Sequence, residues 1–71
     1  MMITFREANQ AKLALKMMLS NYSWFLGAGV ESDGDEYIVV INASRNDNLT
    51  KRTIPVVHDG VAVKTNINGR K

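Results

Sequence analysis

Few residues in this chain have the chemistry to act on a substrate. The single histidine, His58, is followed by Asp59, and a histidine–carboxylate pair is the usual core of a general base. Neighbours on a strand point to opposite faces, however, so that pairing is not expected to form. Ser44 and Thr53 carry the candidate nucleophilic hydroxyls, and nothing in their spacing aligns them with a base. A partly exposed histidine entering an Asp-Gly turn is the simpler reading of His58, and a hydrolase built on it ranks last. With one histidine and no cysteine, a zinc site within one chain is not expected, and disulfides are excluded.

Glu31, Asp33, Asp35 and Glu36 place four carboxylates within six residues. Calcium prefers such oxygens, but the EF-hand spacing of acidic residues, glycine and a twelfth-position glutamate is missing. A solvated turn that discourages edge pairing is the expectation. Arg45, Lys51 and Arg52 lie in a polar stretch, residues 45–52, that could meet phosphates, with Trp24 or Phe25 stacking on bases. The net charge is only +2, which is weak steering for nucleic acid. No cofactor, metal or small-molecule substrate is implied.

The elements that must position these groups are legible from period. Thr4-Phe5-Arg6-Glu7 has the form of a capping box, in which the threonine hydroxyl and the glutamate carboxylate satisfy each other's backbone N–H. Ala8, Ala11, Leu15, Met18 and Tyr22, with Leu19 beside them, then recur at helical steps. The spacing predicts one amphipathic helix over residues 5–21. Leu13 and Met17 sit four apart and about 140–180° from Ala8 at ~100° per residue, so this pair faces away from the stripe. Methionine suits adaptable contact surfaces.

Period two follows. Trp24, Leu26, Ala28 and Val30 read as the core face of a strand over residues 23–31, with Gly27 and Gly29 opposite as the mark of a bulge or close approach. Asp33-Gly34 reads as a type I′ hairpin turn. Residues 36–44 are β-branched and aromatic on both faces, which is the pattern of a central strand. Pro55 marks the next extended stretch, residues 53–58, as an edge or an irregular entry. Asp59-Gly60 signals a second hairpin, closing a short last strand over residues 61–65. Residues 66–71 are expected to fray.

The sum is one α+β domain: an N-terminal helix on a three- or four-stranded antiparallel meander sheet. Seventy-one residues allow a single domain, and 45% hydrophobic residues are enough for a modest core. No signal peptide or membrane-spanning stretch is read in the sequence, and the cytoplasm is the expected compartment.

Gly29-Val30, Ile38-Val39-Val40, Ile54-Pro55 and the run Asp59 to Val63, following a helix, resemble a small α-β-β-β module of bacterial and tailed-phage proteins. In some of these the module precedes a trypsin-like peptidase domain. The resemblance implies an accessory role and carries no catalytic residue. The element order also resembles the start of a double-stranded-RNA-binding domain, but no counterpart of that family's basic C-terminal helix follows.

One helix covers one face of a sheet, so apolar residues elsewhere need another cover. Ile38 and Val40 are expected to share the uncovered face with Phe25. Together with Leu13 and Met17 they form the candidate contact surface for a partner, either a second copy of the chain or another protein. The function expected is a non-enzymatic interaction or regulatory protein. The alternative is a weak nucleic-acid binder using residues 45–52.

Overall fold

The structure, a computed structural model, describes residues 3–44 and 52–67. One helix, α1 (Phe5–Leu19), is followed by β1 (Phe25–Asp33), β2 (Glu36–Ala43), β3 (Val57–His58) and β4 (Val61–Ile67). The helix begins at the capping box. The Glu7 N–H donates to Thr4 Oγ1 at 3.2 Å, and the Thr4 N–H donates to Glu7 Oε1 at 2.9 Å. It ends at Leu19, earlier than the spacing implies, with Ser20 as its C-cap. Ala8, Ala11, Leu15 and Leu19 are its buried residues. Met18 and Tyr22 lie largely outside the stripe they were expected to extend. The reason is angular: Leu19 falls closer than Met18 to the direction set by Ala8, Ala11 and Leu15.

The sheet order is β1-β2-β4-β3. The class is α+β, but the sheet is not a meander. β1 and β2 form the expected antiparallel hairpin, and β3 and β4 form the second one. The second hairpin is inserted with β4, not β3, against β2, and that pair is parallel. A parallel pair needs a crossover rather than a tight turn. Ile54, on the connecting chain, is buried in the same core as the helix stripe, which puts this part of the crossover on the helix side. Pro55 therefore interrupts a crossover, and the extended stretch shrinks to the two-residue β3.

Turn chemistry follows φ. Gly34 has φ 65° and is the only position of its turn with positive φ, the type II′ arrangement rather than type I′. Asp59 and Gly60 both have positive φ, 51° and 79°, as a type I′ turn requires. β4 runs through Ile67, two residues into the segment expected to fray, and the Asn66 side chain donates to Asn42 Oδ1 at 3.1 Å.

Register sorts the faces. Phe25, Ala28 and Val30 pair with Ala43, Ile41 and Val39, and these pack with the helix stripe, Trp24 and Val61. Gly27, Gly29 and Glu31 pair with Asn42, Val40 and Ile38 on the opposite face. A bulge between Phe25 and Gly27 shifts the phase, so Phe25 turns inward and Leu26 outward, 54% exposed.

Candidate protein-contact surfaces

The outward side of α1 is the first surface. Four helical residues point into the core, and the opposite side carries Leu13 and Met17, 48% and 78% exposed. Their four-residue spacing stacks them on adjacent turns. Phe5 is half exposed and meets the ring of Tyr37 edge-on, with centroids 5.6 Å apart. Val56 and Val57, at the β3 edge, expose more apolar area.

The outer sheet face is different from the one expected. Phe25 does not share it with Ile38 and Val40, because the bulge turns Phe25 onto the helix side. Val40 itself is only 6% exposed, while Ile38 is half-buried. The candidate surface therefore divides. Leu13 and Met17 are open, Phe25 belongs to the core, and the outer face is lined by Gly27, Gly29, Ile38 and Lys64 around Val40.

The other candidate groups do structural work. Glu36 Oε1 accepts the Ile3 N–H at 3.1 Å, and the Tyr37 N–H donates to the Ile3 carbonyl at 3.2 Å, so one of the four carboxylates ties the helix entry to β2. Glu31, Asp33 and Asp35 are exposed. Among the described residues no group of three or more acidic or histidine side chains is placed to hold a metal ion. His58 Nε2 lies 3.7 Å from Asp59 Oδ2, because Asp59 bends away from strand geometry with its positive φ. That is ion-pair range and longer than a hydrogen bond. The Ser44 hydroxyl donates to the Trp24 carbonyl at 3.4 Å. Glu7, Gln10, Ala11 and Asp59 line a cleft of about 220 Å³, but the Glu7 carboxylate already serves the cap.

Arg45 and Lys51 lie outside the described residues, and Arg52 is exposed. The aromatic partners proposed for bases are occupied. Trp24 is buried and stacked on Tyr22, centroids 5.0 Å apart, and Phe25 packs on the core.

The sequence reading missed the outward turn of Leu26 and the exposure of Met18, Val56 and Val57. Gly27 was the available signal for the first, since a glycine in a strand marks a bulge. The exposure of Val56 and Val57 follows from the strand order, which local pattern does not encode.

No family model, no curated protein and no solved structure matches this chain. Among the described residues no helix is long and apolar enough to cross a membrane.

Proposed function

We propose that the chain is a non-enzymatic interaction protein that works through protein–protein contacts and self-associates. The observation that carries this reading is the amount of apolar side chain left outside a single small core, above all Leu13 and Met17 on the free side of α1. Scattered exposed leucines are ordinary, but two on adjacent turns make a contiguous ridge. Among the described residues the Ser44 hydroxyl, one candidate nucleophile, donates to the Trp24 carbonyl and not to the His58–Asp59 pair, which gives the enzyme reading no support. The nucleic-acid reading loses its stacking platform, because Trp24 and Phe25 are packed.

Sedimentation velocity from low to high micromolar protein tests the proposal, with binding to random-sequence DNA and RNA measured at two salt concentrations alongside. The expected result is a mass that rises with protein concentration and little nucleic-acid binding. A chain that stays monomeric throughout, or strong salt-dependent nucleic-acid binding, would overturn the reading.

A further inference from the structure

We infer that two copies of this chain join edge to edge through β1, in an antiparallel pair centred on Gly29. The inference rests on the self-association reading and names the seam. β1 is nine residues long and stands at one edge of the sheet, and among the described residues only β2 pairs with it. An open edge of that length is a template for another strand.

The phase of its backbone follows from its neighbours. Tyr37 donates its N–H to Ile3, away from β1, so Ser32 and Tyr37 are a non-hydrogen-bonded pair. Alternation along an antiparallel ladder makes Val30–Val39 and Ala28–Ile41 non-hydrogen-bonded as well. Ser44, on the other phase, does donate to Trp24, as this alternation requires. The N–H and C=O groups of Ala28, Val30 and Ser32 therefore point out of the free edge.

A second copy matches this phase. With Gly29 against Gly29, Ala28 stands opposite Val30 and Val30 opposite Ala28, and each such pair exchanges two backbone hydrogen bonds. Gly29 becomes a non-hydrogen-bonded pair on the two-fold axis, where Cα atoms approach to about 4.5 Å. Glycine accepts that approach with no side chain to displace. On the helix side Ala28 and Val30 form apolar cross-strand pairs. Charge is compatible with this register, since Glu31 then opposes Gly27; a centre on Val30 is equally free of facing carboxylates, and the close approach open to two glycines favours the Gly29 centre. Sliding the centre to Glu31 or Ser32 sets carboxylates against each other, and sliding the other way runs into the bulge. A two-fold contact is closed, so the association stops at a dimer. Leu13 and Met17 point away from the sheet and take no part in this seam.

The test uses the whole chain. A Cβ at Gly29 has nothing within 4 Å, and its backbone is not in the positive-φ region, so Gly29→Lys and Gly29→Glu leave the fold intact by circular dichroism. Each alone sets like charges face to face on the axis and should turn a dimer into a monomer in sedimentation. An equal mixture of the two should restore the dimer. The chain has no cysteine, so Gly29→Cys should give a reducible covalent dimer on mild oxidation, and Gly27→Cys, opposite Glu31, should not. Folded Gly29→Lys protein that still forms the wild-type dimer overturns the β1 seam. If that dimer is instead lost in Leu13→Glu/Met17→Glu, the self-association reading stands and only the seam falls. Wild-type protein that is monomeric at every concentration removes both.

Discussion

Replacing Thr4 by alanine tests the connection between the helix start and the stability of the fold. The Thr4 hydroxyl accepts the Glu7 N–H and donates to Glu7 Oε1 at 3.2 Å, so alanine removes both hydrogen bonds. The Thr4 N–H to Glu7 Oε1 bond, at 2.9 Å, survives, because it uses the backbone. All three are exposed, so water can take over the freed N–H and the full cost of an unsatisfied buried donor is not incurred. The loss is therefore about 1 kcal/mol, within the roughly 0.5–2 kcal/mol range of N-cap deletions. For a domain of this size 1 kcal/mol shifts the melting temperature by about 4–8 °C. Thermal melts followed at the helix signal, with Thr4→Ser as the control that keeps the hydroxyl, measure it. A melt unchanged by Thr4→Ala while Thr4→Ser also matches wild type would refute the claim that this box stabilises the helix start. Glu36→Gln offers a second reading of the same junction, since it weakens the bond that ties the Ile3 N–H to β2.

Three further outcomes follow from particular positions. Leu15→Ala, at a fully buried core residue, should cost about 2–5 kcal/mol in urea denaturation, a large share of the ~4–11 kcal/mol expected for a domain this small. Gly60→Ala should cost about 1–2 kcal/mol from backbone strain alone, because φ is 79° and its Cβ would touch nothing; chemical denaturation compared with Asp59→Asn checks it. Leu13→Glu/Met17→Glu should leave the melting temperature nearly unchanged in thermal melts followed by circular dichroism; unfolding would show these residues to be core.

Much of the fold was legible because its signals are local. The capping box, the Ala8-Ala11-Leu15 stripe and both Asp-Gly turns use residues within one or two turns of chain, and propensity, period and hydrogen bonding agree there. The outward placement of Leu13 and Met17 followed from the same period. Alternation failed where one inserted residue reversed it: the bulge at Leu26 turns Phe25 into the core and breaks the predicted face with Ile38 and Val40.

The sequence by itself determined one amphipathic helix, a first hairpin, an Asp-Gly signal for a second, and a stripe of small and branched residues to join them. Angle along the helix also placed Leu13 and Met17 outside, while the same reading put the exposed Met18 and Tyr22 in the stripe. Only the tertiary structure decided that β4 would lie parallel beside β2, leaving β1 and the two-residue β3 at the edges. Two hairpins can pack side by side in more than one order, and each order satisfies the same local hydrogen bonds. The choice is made by long-range burial, here of Ile54 on the crossover and Val61 at the start of β4 against the helix stripe, contacts between residues far apart in the chain that no local period records.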